Sequence, residues 1–544
     1  MFELKILSSL AKVYNDMPLD LSHEIKEGTV LQNDKYHFQV AFKNDEDTYR
    51  PLPLKSYTFE SELGDALSVR FVENVACDYI SRQPDLDLCE HKNPGLLPDI
   101  LETDIPQIVW TYSNIWKSFW ITVDTENYTV KPGKYDIKIT LTDKEEKIAT
   151  GVFTLEVLSG KLPKQQLPVT NWLHCDAICQ YYNVEFASDE FWKILENNIK
   201  TAVKNNTNMI LTPVFTPPLD TEIGGERLTT QLVDVDLTNG NYTFGFEKLE
   251  KWIEICKKCN VAYIEIAHLF TQWGCKFAPK VMATVDGEYK KLFGWETNGH
   301  GEEYLTFIGE FLEKLIVVLK KHNVYENTYF HISDEPGITV LDDYKLAIDF
   351  VSKYIPKNRI IDALSSFEFY KKGVLETPIP SLDHLQVFFD EGVESLWGYY
   401  CGSQSRTSNR YIGMPSNINR MIGVVLFKYK LKGFLHWGWN FYNTCKSHNV
   451  VNPYRTSTGL GWVPAGDTYL VYPGKNGEVV ESIRLCVFSD GIRDCMLLSE
   501  LAKKYSYDEI IMQFDLEKID CFSFLSPKEM LKMRDKLNRM ISGL

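Results

Sequence analysis

Up to about residue 160, apolar and polar positions alternate in short runs, and Tyr36–Phe42, Ala66–Val72 and Ser118–Val123 each read as a strand with one face inward. Lys131–Leu141 reads as a turn followed by a strand, and Thr142–Lys147 turns the chain into Ile148–Val157. Short alternating strands with turn signals between them predict a β-sandwich over residues 1–160. Ser159–Pro168 is polar and carries two prolines, which marks it as the linker.

Beyond the linker the rhythm changes to strand, loop and helix. The strands read as Thr170–Cys175, Met209–Phe215, Ala262–Leu269, Thr328–Ser333, Arg359–Leu364, His384–Phe389, Ser395–Tyr400 and Gly433–Trp439. Amphipathic helices are predicted over Asp189–Asn205, with Ser188 as N-cap, and over Phe246–Cys259 and Tyr304–His322. Eight strands alternating with helices predict a (β/α)8 TIM-type barrel over residues 166–505. From Glu481 the tail carries a helix at Asp490–Tyr505 that closes the barrel, and residues 506–544 form a helical appendage.

At 544 residues the chain is too long for one core, which agrees with a division into domains. Its net charge of -16 argues against a nucleic-acid partner, because phosphate binding needs a basic face. No run approaches the ~20 apolar residues of a membrane span, and the opening MFELKILSSLAKVYND lacks the basic and apolar regions of an export signal. A cytoplasmic location is therefore expected. The twelve cysteines show no disulfide rhythm, and Cys256-Lys-Lys-Cys259 has no second pair to complete a zinc site. Free thiols, no metal site and no cofactor are expected. Aromatic residues, 13% of the chain, suit stacking on sugar rings and equally suit a large core.

The candidate chemistry centres on Tyr329-Phe-His-Ile-Ser-Asp-Glu-Pro-Gly337, a strand ending in two adjacent carboxylates and stopped by Pro-Gly. The C-terminal end of a barrel strand is where catalytic groups gather. Strand alternation turns Glu335 inward with His331 and Ser333, and leans Asp334 over the rim. A glycosidase with its own nucleophile holds two carboxyls about 5–5.5 Å apart, and an inverting one about 6.5–9.5 Å, flanking the scissile bond. Adjacent residues, with Cα atoms about 3.8 Å apart and diverging side chains, do not naturally flank one bond that way. They can place one carboxyl at the leaving group and the other beside the sugar's 2-substituent. If that substituent is acetamido, its carbonyl oxygen can attack the anomeric carbon. Glu335 is then the general acid and base, and Asp334 accepts the acetamido N–H.

A second cluster, Gly433-Phe-Leu-His-Trp-Gly-Trp-Asn-Phe-Tyr-Asn443, offers Trp437 and Trp439, one in the site and the other in packing, with Asn440 or Tyr442 as hydrogen-bonding groups. Trp172, His174 and Asp176 end the first strand, and His268 and Trp273 follow the third. Trp397, Tyr399 and Tyr400 end the seventh. Together they describe a polar-aromatic mouth, with Gly294–His300 as a lid or a connection. No serine-hydrolase elbow, P-loop, dinucleotide fingerprint or zincin motif is present.

These residues resemble glycoside hydrolase family 123. The resemblance runs in order through Phe330–Pro336, Leu435–Phe441, Gly466–Gly474, Ser482–Leu485 and Asp490–Asp494. It implies a β-sandwich followed by a catalytic barrel, and activity as a retaining β-N-acetylgalactosaminidase that uses the substrate's acetamido group. The family's Asp-Glu pair falls on Asp334 and Glu335, and Ser482, Arg484 and Asp490 read as anchors. The chain departs from the pattern at Cys495-Met-Leu497, where relatives carry acidic and aromatic residues. The expected activity is removal of terminal β-linked N-acetylhexosamine, with galactosamine preferred, from an oligosaccharide or glycoconjugate. Trp172, His174, His268, Tyr399, Trp437, Trp439 and Asn440 are the expected substrate contacts. The rivals are a glycosidase for another sugar, with Asp362 or Glu368 as nucleophile, and a carbohydrate-binding barrel without catalysis.

Overall fold

The computed structural model describes residues 2–44, 51–82, 85–143 and 146–543. The N-terminal region is two β-sheets face to face. One is antiparallel and five-stranded, in the order Phe2–Ser8, Lys35–Asn44, Lys117–Asp124, Leu67–Cys77 and Gly95–Glu102. The other is four-stranded, in the order Glu27–Gln32, Glu146–Lys161, Gly133–Asp143 and Ser56–Glu60. Ile137, Ile139 and Leu141 show the expected alternation, pointing into a core shared with Phe38, Phe119 and Phe153. Lys35–Asn44 departs from it: both of its faces are largely buried, because the outer face packs on the C-terminal domain, where His37 reaches Asp490 at 3.2 Å. The expected linker begins later than read, since the strand Glu146–Lys161 runs through Lys161; of the predicted turn at Thr142–Lys147, residues 144–145 lie outside the described ones.

The C-terminal region is built on a parallel half-barrel of six strands. Their order is Thr328–Phe330, Tyr263–Ile266, Met209–Thr212, Val169–Asn171, Phe434–His436 and Gly398–Tyr399. A separate parallel pair, Ile361–Ala363 and Thr377–Ile379, is tied to the two ends of that sheet by single bridges, Phe330 to Ile360 and Ser381 to Tyr399. Each strand is only two to four residues long, shorter than the apolar runs suggest. The remainder of each run is irregular chain leading into the site.

Two elements differ from expectation. His384–Phe389 is not the sixth strand: the chain there is helical, through Leu382–His384 and Leu385–Asp390, and the sixth strand is Thr377–Ile379. Leu385 and Phe388, three residues apart, are the buried positions of a helical turn, a spacing that a short apolar run hides. The closing helix starts earlier than read, at Ile483–Lys504, where Ser482 caps it by accepting from the Leu485 N–H at 3.1 Å. The helix Asp189–Lys204 is capped as expected, with Ser188 Oγ accepting from the Phe191 N–H at 3.2 Å.

Excursions after the second and third strands form a four-stranded sheet absent from the sequence reading, made of Asn241–Gly245, Asp234–Thr238, Val281–Val285 and Glu288–Phe293. Within the tail, the helix Pro527–Ser542 packs back on the sandwich, and Arg534 bonds both Asp34 at 2.6 Å and Asp494 at 2.7 Å. All twelve cysteines are free thiols. No helix among the described residues is long and apolar enough to cross a membrane.

Candidate active site

The residues that follow the fourth strand are held by a carboxylate from the fifth. Asp362 is fully buried and accepts the backbone N–H of Ile332 at 3.0 Å and of Ser333 at 3.2 Å. It also bonds the ring of His331 at 3.0 Å and takes the Tyr344 hydroxyl at 2.7 Å. Two more bonds place the acids themselves: the Trp273 N–H reaches the Asp334 carbonyl at 2.8 Å, and the Glu335 N–H reaches the Ala363 carbonyl at 3.0 Å. Glu335 sits in the left-handed region at φ 44°. That conformation costs a non-glycine residue about 1–3 kcal/mol and is tolerated where its surroundings over-determine it. Strand alternation therefore ends before the acids, and both Asp334 and Glu335 line one cavity of about 220 Å³.

Glu335 is exposed to the cavity, and its Oε1 accepts the Tyr399 hydroxyl at 2.5 Å. Asp334 keeps some contact with the cavity but is otherwise enclosed by protein. That enclosure, followed by the charge of Glu335, pushes its carboxyl well above the usual carboxylate range.

Trp172 and Trp437 also line the cavity. The Trp172 indole N–H donates to Glu265 at 2.8 Å, and Glu265 in turn bonds His331 at 2.6 Å and Thr170 at 2.5 Å. Burial alone lowers the pKa of His331, but its hydrogen bonds to Asp362 and Glu265 win and raise it to about 9. An imidazolium between two buried carboxylates thus ties the aromatic wall to the strand end that carries the acids. Trp437 donates to Asp467 at 3.1 Å, and burial pushes that carboxyl up to about 6.

Four expected sugar contacts stand behind the wall instead. Trp439 is fully buried in the outer core, donating to Asn198 at 3.0 Å, so of the two tryptophans Trp437 is in the cavity and Trp439 in packing. Asn440 braces the first strand's loop, accepting the His174 N–H at 2.8 Å and donating to its carbonyl at 3.1 Å. His174 points at the Trp437 carbonyl, 2.8 Å away, and burial followed by the nearby Arg227 lowers its pKa to about 4. His268 stacks on His331 with centroids 4.4 Å apart, and neither of its ring nitrogens has a protein partner. The short strands account for this: side chains just past the last paired residue turn into the interior rather than over the mouth.

The two nucleophile candidates of the rival reading do not line the cavity. Asp362 is consumed by the bonds above, and Glu368 opens the short helix Glu368–Lys371 beside Lys371. Ser482, Arg484 and Asp490 act as anchors: Ser482 caps a helix, Arg484 grips Asp99 at 2.9 Å, and Asp490 meets His37. His268, His331 and Asp362 bring one ligand atom each within 4.8 Å of one another. Both His331 nitrogens and the Asp362 oxygens are already hydrogen-bonded, so the donor set fits a hydrogen-bond network better than a metal.

The sequence reading missed four charged residues around the cavity. Glu265 had a signal, as the one charge inside the apolar strand Tyr263–Ile266. Asp467 lies in the Gly466–Gly474 stretch that carries the resemblance, Asp220 lies in a loop without a signal, and Arg82 comes from the N-terminal region.

Adjacent acids over aromatic walls, on the loop side of a parallel sheet, are the equipment of a sugar-cleaving enzyme. The family model for the glycoside hydrolase 123 catalytic domain matches residues 172–501. A family 123 glycoside hydrolase from Clostridium perfringens, described for glycolipid glycan hydrolysis, aligns over 100% of this chain and 98% of its own, with a TM-score of 0.71 at 15% identity. A family 39 glycoside hydrolase from Bacteroides cellulosilyticus aligns over 80% of each chain at 11% identity, with a TM-score of only 0.33. No curated protein matches the chain. The chain belongs to glycoside hydrolase family 123.

Proposed function

We propose that the protein removes terminal β-linked N-acetylhexosamine, with N-acetylgalactosamine preferred, by substrate-assisted retaining catalysis. The observation that carries this reading is the adjacency of Asp334 and Glu335 on one cavity wall, while Asp362 and Glu368 lie away from the cavity. Glu335, exposed and hydrogen-bonded by Tyr399, gives its proton to the leaving oxygen. As that C–O bond breaks, the acetamido oxygen bonds to the anomeric carbon. Asp334, in its ionised form, accepts the acetamido N–H and offsets the oxazolinium charge. Glu335 then takes a proton from water, which opens the ring. Trp172 and Trp437 supply the faces against which the sugar stacks.

The fold supports this role if the two single bridges close the eight strands into one (β/α)8 ring, which is our reading of the C-terminal domain. The Clostridium perfringens relative acts on glycolipid glycans, and a glycoconjugate ending in β-N-acetylgalactosamine is the corresponding substrate here. The test is hydrolysis of aryl β-glycosides of N-acetylgalactosamine, N-acetylglucosamine and galactose. The galactoside, which lacks the acetamido group, should be cleaved at a small fraction of the first rate. Equal rates on the two would rule out substrate assistance.

A further inference from the structure

The cavity holds a carboxylate that neither the proposed chemistry nor the fold uses. Asp220 follows the second strand, in a loop pinned at every peptide. Arg227 reaches the Leu219 carbonyl at 2.5 Å, Ser447 Oγ the Asp220 carbonyl at 3.0 Å, and Gln272 the Thr221 carbonyl at 2.7 Å. These bonds hold Asp220 at φ 41°, in the left-handed region that Asp and Asn enter more readily than other side chains. Asp220 is half-buried, and its Oδ2 is enclosed without a protein partner. Among the described residues Asp220 forms no ion pair, and it lines the cavity together with Gln272 and Asp334. Burial pushes its carboxyl up to about 6, and its charge is felt at Asp334.

A half-buried carboxylate on a braced loop, lining the cavity with Asp334 and held in no ion pair among the described residues, is placed to bind a ligand hydroxyl. We propose that Asp220 is a sugar-binding residue of this site, accepting the 3-hydroxyl of the non-reducing-end sugar beside the 2-acetamido group that Asp334 holds. The position follows from the neighbour: carbon 3 adjoins carbon 2, and Asp220 lines the same cavity as Asp334, near enough for its charge to raise that carboxyl. The proposal rests on the substrate-assisted reading above. Because the 3-hydroxyl has the same orientation in the galacto and gluco sugars, Asp220 recognises both and discriminates neither.

The experiment compares an aryl β-N-acetylgalactosaminide with its 3-deoxy and 4-deoxy analogues, on the wild type, Asp220→Asn and Asp220→Ser. Loss of the 3-hydroxyl should cost the wild type about tenfold or more in kcat/KM, as for a hydrogen bond to a charged group. In both variants that penalty should shrink to about twofold or less, while the 4-deoxy penalty stays as in the wild type. An undiminished 3-deoxy penalty in the variants overturns the proposal, as does a 4-deoxy penalty that vanishes in its place. If both variants lose turnover, the same difference is read from calorimetric binding of N-acetylgalactosamine and its 3-deoxy form. A wild type that cleaves the galactoside equally well refutes substrate assistance alone, and the 3-deoxy comparison still decides the role of Asp220.

Discussion

At the scale of single residues, the acid pair makes two predictions. Glu335→Gln removes the proton donor, and kcat on an alkyl β-N-acetylgalactosaminide should fall by about 10²–10⁴, the usual range for a positioned general acid. The loss should be smaller on a nitrophenyl glycoside, whose leaving group needs little protonation; an equal loss on both would take the acid role from Glu335. The second prediction concerns pH. Burial and the Glu335 charge raise the Asp334 carboxyl above the normal carboxylate range. An acceptor of the acetamido N–H must be ionised, so activity should be low at acid pH and rise as pH climbs through the raised value. Asp334→Asn cannot ionise, so its kcat/KM should lose that acidic limb while kcat drops; a variant that keeps the limb would take the acceptor role from Asp334. Asp334 and Glu335 were legible in the sequence because Pro-Gly punctuation marks where their strand stops. Asp220 was not, because what sets it apart is the fold bringing its loop to the cavity wall with Asp334, which has no local sequence signature.

At the scale of elements, type and order were largely legible and lengths were not. Long amphipathic helices such as Asp189–Lys204 announce themselves by period and cap. Strands of two to four residues do not, because a buried apolar run reads alike as strand, loop or short helix. That ambiguity misplaced the sixth strand at His384–Phe389 and put His174, His268 and Asn440 at the mouth. The same brevity makes the fourth strand's end depend on side-chain bonds. Asp362 supplies them, so Asp362→Ala leaves the charged His331 ring, two backbone N–H groups and the Tyr344 hydroxyl without their acceptor. Removing one partner of a buried ionic network costs about 3–5 kcal/mol. Melting by calorimetry should show that loss, with kcat reduced along with it. A variant that melts and turns over like the wild type would dismiss the idea that Asp362 positions the acids.

At the scale of the molecule, the two regions are joined by buried ion pairs between residues far apart in the chain, which is why no local pattern foretold the junction. Glu481, ahead of the closing helix, is paired with Arg70 of the sandwich and with Lys204 at 2.9 Å, and Asn205 donates to it at 3.0 Å. Burial alone raises the Glu481 pKa, but the attraction of Arg70, then of Lys204, outweighs it and holds the carboxyl far below its usual range. A carboxylate depressed by folding contributes stability that is fully present above its unfolded pKa of about 4.3 and declines as pH falls below it. The decline is about 1.4 kcal/mol for each pH unit below that point. Glu481→Gln should therefore melt well below the wild type at pH 7, because Arg70 stays buried without its counter-charge. At pH 3 the gap should narrow, since the wild type then spends free energy keeping Glu481 ionised and the variant has no such group. Calorimetric melts of both proteins at pH 7, 5 and 3 measure the gap directly. A deficit that is constant with pH would show that Glu481 serves the junction by shape alone, and would leave the joining of the two regions to pairs such as Arg534 with Asp34 and Arg484 with Asp99.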